Sequence, residues 1–206
     1  MLSLSGVIDC VTVRQSGQHR DQFGHHTSGG GRYLLQTVAT ARGVPAGEIL
    51  TRDPDQRWWW PGAGMHGSVS HCGRWGGVAL SDHHIGIDLQ DHRHRPAALG
   101  YLAEILRLPA HQPATIAQFA ESEALIKMSG LSVEDFRDVQ LPGWTSGWRK
   151  VQGVGWVQSR PCDVGVLALA AAQPEPVRWW SGTLNRRLGL RLEPTPIPSE
   201  GLLTCP

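Results

Sequence analysis

Lysine is nearly missing from this chain. Of its 19 basic residues only Lys127 and Lys150 are lysines. A phosphate site here must therefore lean on arginine forks, histidines and backbone amides. An excess of either charge is missing too: 19 Lys+Arg against 18 Asp+Glu leave a formal +1. That removes the general attraction to nucleic acid a basic surface would supply. The four cysteines, Cys10, Cys72, Cys162 and Cys205, include no Cys-x-x-Cys pair. A zinc knuckle or redox motif is therefore unsupported, and scattered thiols fit a reducing compartment. No apolar run approaches the roughly 20 residues that span a bilayer. The first residues, Met1-Leu2-Ser3-Leu4-Ser5-Gly6, lack the basic flank and apolar region of a signal peptide. The expectation is a soluble cytoplasmic protein with no membrane and no nucleic-acid partner. Tyrosine and phenylalanine are scarce, at two and three, but tryptophan numbers nine, with Trp58-Trp59-Trp60 consecutive. Such a run is either a stacking surface or an edge that packs across its own half.

What is present suits one large domain or two small ones: 206 residues, 40% of them apolar. Residues 4–13 alternate and are β-branched, so they predict a strand. Residues 15–31 are polar and end in Gly29-Gly30-Gly31, which predicts a loop. Leu34, Leu35, Val38 and Ala41 give helical spacing over 32–41. Short strands are predicted at 69–71, 76–80 and 85–89, with a turn at 81–84. Helices follow at 96–107, opened by Pro96, and at 114–128, with Gly130 as its cap. Further strands are expected at 133–139, 153–158 and 164–170. The division read from this is 1–92, 93–175 and an arginine- and proline-rich tail over 176–206.

Two places carry chemistry. Asp88 ends the apolar stretch Ile85-Gly86-Ile87, where a carboxylate can hold a hard cation. Glu123 and Lys127 stand four apart on a predicted helix, hence on one face. Acids with a cation beside them suit phosphoryl transfer, which needs charge neutralised on the attacked and leaving oxygens. Taken singly, an Asp after a strand is more often a turn residue, and a Glu–Lys pair is usually a solvated helix face. The histidine clusters His25-His26, His83-His84 and His92-Arg93-His94 read as surface turns. Adjacent strand residues face opposite sides, and no acid or cysteine recurs among them at ligand spacing.

The order of the motifs says more than any one of them. Val69-Ser70-His71-Cys72-Gly73-Arg74-Trp75 is followed by Ile85-Gly86-Ile87-Asp88-Leu89-Gln90, then by Phe119-Ala120-Glu121-Ser122-Glu123-Ala124-Leu125-Ile126-Lys127. This resembles the 4′-phosphopantetheinyl transferases of the surfactin-synthetase-activating type. Their pattern runs S-H-S-G, (I/V)-G-(I/V)-D-x-E, then W-x-x-K-E-(A/S)-x-x-K-x-x-G. The resemblance covers about residues 30–170. It implies an α+β fold of two similar halves about a pseudo-twofold axis, with the active site in the cleft between them. It also implies transfer of the phosphopantetheine arm of coenzyme A to a serine of an acyl or peptidyl carrier protein, by a monomer. On this likeness Asp88, Gln90 and Glu123 would hold Mg2+, and Glu123 and Lys127 would be catalytic. Arg32, Arg57, Ser70 and His71 would contact coenzyme A.

Three positions depart from the family. Gln90 stands for a second acid, Ser122 for a lysine that serves the substrate phosphates, and Phe119 for a tryptophan. Of the family's G-(K/R)-P element only Arg57 remains, in Asp55-Gln56-Arg57-Trp58. The alternative implied is a degenerate transferase-like protein that binds a carrier or ligand in the cleft, or catalyses another reaction there. Arginines refilling the phosphate site would favour transfer, and a cleft without a basic floor would favour the alternative.

Overall fold

In β1 (Ile8–Ser16) alternate side chains part to two cores. Ile8 and Cys10 join one, Val11 and Val13 the other. That split sets the layering of the protein, whose computed structural model describes residues 6–16, 27–109, 111–185 and 189–195. After β1 come α1 (Thr27–Ala41), β2 (Thr51–Arg52), β3 (Trp58–Trp60), β4 (Met65–Cys72) and β5 (Trp75–Ser81). Next are β6 (Ile85–Asp91), α2 (Pro96–Ile105) and α3 (Ile116–Ser129). The chain continues through β7 (Arg149–Val151), β8 (Gly155–Cys162), β9 (Gly165–Ala171), β10 (Val177–Asn185) and β11 (Gly189–Pro194).

The class is α+β. One sheet runs β11-β10-β1-β5-β4-β3-β2 and the other β6-β9-β8-β7. Helix α1 covers the first sheet through Leu34, Leu35 and Val38, which meet Val11, Val13 and the fully buried Trp60. The two sheets face each other through Ile8, Cys10, Ala79, Ile87, Leu89 and Leu169. Helix α3 lies on the far side of the second sheet, with Ala120, Ala124, Leu125 and Met128 against Val157, Ala168 and Ala170. The stretch β1-β5-β4-β3 and the whole second sheet share one order: first strand, last strand, then backwards. In each, a covering helix follows the first strand.

Several segments differ from the sequence reading. Helix α1 starts at Thr27, so the glycine run lies within it. Gly31 is buried there, with the Val69 methyls 3.7 and 3.9 Å from where a Cβ would stand. The expected strand at 133–139 is a 3-10 turn, Glu134–Asp138. Asp135 Oδ2 accepts from both the Ser132 amide (2.7 Å) and hydroxyl (2.8 Å), a local cap that outbids strand pairing. The expected tail carries β10 and β11, and β10 lies parallel to β1. Asp9, fully buried on β1, secures it by accepting from Arg178 Nε (3.0 Å) and Nη2 (2.8 Å), Trp180 Nε1 (2.8 Å) and Arg42 Nε (3.2 Å). Strand β6 precedes the expected cut at 92/93 yet pairs with β9 beyond it. Residues 4–5, most of the expected 15–31 loop, His25-His26 and Cys205 lie outside the described residues. No helix among the described residues is long and apolar enough to cross a membrane.

Candidate functional site

Strand β6 is built by alternation. Ile85, Ile87 and Leu89 enter the core between the sheets. Gly86, Asp88 and Gln90 therefore face the other way, toward α3. At Gly86 the helix comes so close that a Cβ would stand 1.9 Å from the Ala124 carbonyl oxygen. Strand β6 is also an edge, and its amides find partners across the sheet interface. Ser68 Oγ accepts from Ile87 N (3.1 Å) and Ser70 Oγ from Leu89 N (3.1 Å).

Asp88 is only 3% exposed, and three donors meet its carboxylate. Ser70 Oγ donates to Oδ1 at 2.8 Å, Lys127 Nζ to Oδ1 at 2.7 Å, and Gln90 Nε2 to Oδ2 at 2.5 Å. Lys127 also donates to the Ile87 carbonyl at 3.0 Å. A buried charge is tolerable only when paired in this way. Replacing Asp88 by alanine would therefore disturb the fold as well as the chemistry, contrary to what an exposed carboxylate would allow.

Helix α3 brings Glu123 and Lys127 to this place. Its start is fixed by a Thr115–Gln118 capping box and its end by Gly130 at φ 75°. Burial pushes the Glu123 carboxyl pKa up, the Asp88 charge pushes it further, and Lys127 pulls it back. Because that pKa is raised, the associated stability is present below the ordinary value of about 4.3 and is lost as pH rises through the folded value. Ionised Glu123 is thus a burden on the fold at neutral pH. Glu123→Gln is expected to raise Tm at pH 7, with the gain vanishing as pH falls toward about 4.3. A lower Tm for the variant at pH 7, measured by thermal unfolding, would show that Glu123 is stabilised as an anion.

The sequence reading placed Asp88 and Glu123 in different halves. Both belong instead to the β6–α3 layer of the second sheet. The first sheet supplies the opposite wall of an open cleft of about 410 Å³, lined by Arg52, Arg57, Trp58, Val69, Lys127 and others. The register pairs Arg52 with Trp58 across the β2–β3 hairpin, and the guanidinium lies 3.4 Å from the ring centroid. Arg32, exposed on α1, stands 6.0 Å from the same ring. The Arg52 pKa is lowered, by burial first; Asp53 opposes this, and nearby Arg32 adds to it. Arg57 is already committed. It donates to Asp53 Oδ2 (2.7 Å), to Asp55 and to the Met128 carbonyl (3.1 Å). His71 is exposed on β4, on the same face as Val69.

Sequence reasoning missed Arg52, because its role depends on a hairpin register; the Asp53-Pro54 turn before Trp58 was the available signal. Gln90 was expected as a magnesium ligand. Its oxygen accepts from Arg95 and its amide nitrogen faces Asp88, so it gives Asp88 a donor rather than offering an ion an oxygen. Ser122 is 4% exposed, and its hydroxyl has no hydrogen-bond partner among the described residues. It therefore takes no part in the cleft. Two carboxylates remain for a hard cation: Asp88, and Glu123, which accepts no hydrogen bond from the described residues. No protein-family model matches this sequence, and no curated protein matches it.

Proposed function

We propose that the chain transfers the 4′-phosphopantetheine arm of coenzyme A to a serine of a carrier protein in the cytoplasm. The supporting observation is the Asp88–Lys127–Glu123 group beside a cleft whose floor carries Arg52 and Trp58. The repeated strand order of the two sheets supports reading the fold as a pseudo-twofold pair of α+β halves. The divide then falls between β5 and β6.

In this reading the cations Arg32, Arg52 and Lys127 hold the phosphates, with the adenine end near Trp58 and with His71 and Val69 along the wall. Mg2+, held by Asp88 and Glu123, would offset the pyrophosphate charge. The carrier serine oxygen bonds to the phosphorus that bears the pantetheine arm. The bond from that phosphorus to the bridging oxygen breaks, and adenosine 3′,5′-bisphosphate leaves. Glu123 takes the serine proton, directly or through a water. Lys127 stabilises charge on the leaving phosphate.

A second reading is favoured by the pairing already present. Lys127 is bound to Asp88, Arg57 to Asp53 and Asp55, and Ser122 is buried. A cleft so far neutralised would also suit a degenerate relative that binds a carrier or another ligand without transfer. Calorimetry with coenzyme A tests the nucleotide site, and loading of an apo carrier separates the two. Arg52→Ala is expected to weaken binding by about 1–3 kcal/mol, the value of one charge-assisted contact. An Arg52 variant with unchanged affinity would remove the proposed nucleotide site, and no affinity in the parent protein would favour the second reading.

A further inference from the structure

We propose that Asp53, His66 and His84 form a binding site for one zinc-like divalent ion, separate from the Asp88–Glu123 pair. The three come from different segments: Asp53 just after β2, His66 on β4, and His84 in the turn before β6. One ligand atom from each lies within 4.8 Å of the others. A tetrahedral zinc ion, with bonds of about 2.0–2.2 Å, needs such atoms roughly 3.4 Å apart, a closure within reach of side-chain rotation. Two imidazoles and one carboxylate favour a borderline transition metal over Mg2+.

Neighbouring side chains hold these ligands in place. Asp53 accepts from the Arg57 backbone N–H (2.8 Å) and from Arg57 Nε (2.7 Å), which fixes the carboxylate. Trp59 packs on the His66 ring with centroids 4.4 Å apart, and His84 meets that ring edge-on at 4.5 Å. His84 Nε2 is 3.7 Å from Asp53 Oδ2, too long for a hydrogen bond. His66 Nδ1 is buried and has no hydrogen-bond partner among the described residues, so a group that would ordinarily be paired is left free. The neighbouring residues His83 and His84 face different acids: His83 meets Asp82 and Glu175 instead.

The test uses the full chain, freed of metal with a chelator and titrated with Co2+ alone, so its outcome is independent of coenzyme A or transfer. One Co2+ per chain is expected, with the intense visible absorption of a four-coordinate ion, displaced by Zn2+. His84→Gln, at a partly exposed ring, and His66→Gln should each weaken binding by roughly 10- to 100-fold or more, the range found even for outer-shell partners. His83→Gln should leave it unchanged. Absence of binding, binding that survives both His84→Gln and His66→Gln (an adventitious ion only), or loss on His83→Gln alone would overturn the proposal. If His66→Gln fails to fold, the His84 and His83 variants still decide it.

Discussion

Gly86→Ala is expected to destabilise the protein by about 3 kcal/mol or more, at the upper end of what overpacking does. The added Cβ would stand 1.9 Å from the Ala124 carbonyl oxygen and 2.9 Å from both the Ala124 carbonyl carbon and Met128 N. These are backbone atoms of α3, so no rotamer change relieves the contact and the helix must lift from β6. Glu123 and Lys127 ride on that helix, so the Lys127–Asp88 pair at 2.7 Å would be disturbed as well. Gly100→Ala is the contrast. Nothing lies within 4 Å of its Cβ position inside α2, and a gain of about 0.4–1 kcal/mol is expected. Urea denaturation of the two variants checks both signs. A Gly86→Ala protein as stable as the parent would mean that α3 does not rest on β6.

Glu123→Gln should lower carrier loading by about 10²- to 10⁴-fold, the usual contribution of a positioned acid–base group. The variant keeps the shape of the side chain and removes a charge that burial and Asp88 both disfavour. Loss of activity should therefore come with a higher Tm at pH 7. That pairing separates a functional acid from a structural one, whose loss would lower activity through unfolding. Loading rates by mass, alongside thermal unfolding of the same preparations, provide the comparison. Near-parental loading would remove Glu123 from the chemistry.

The site was legible in the sequence where chemistry and local periodicity coincide. The i,i+4 spacing of Glu123 and Lys127 held because both lie within one capped helix. The alternation of Ile85 to Gln90 held because β6 separates two buried layers. What stayed hidden depends on long-range pairing. The 176–206 segment reads as tail because it is rich in Pro and Arg, yet Val177 pairs with Ile8 and Arg178 reaches buried Asp9. Arg52 becomes a cleft residue only through its cross-strand pairing with Trp58. The assignment of Asp88 and Glu123 to separate halves failed because β6 crosses to the later sheet, which no local pattern announces. Gln90 gives its oxygen to Arg95, a contact that no local pattern announces.

The decisive measurement is the intact mass of several apo carrier proteins after incubation with the parent chain, coenzyme A and Mg2+. At least one carrier should gain the mass of a single phosphopantetheine arm, with adenosine 3′,5′-bisphosphate released in equal amount and neither product formed by Glu123→Gln. Carriers of unchanged mass, from a protein that binds coenzyme A in the Arg52–Trp58 cleft, would contradict transfer and leave a binding protein on the same fold.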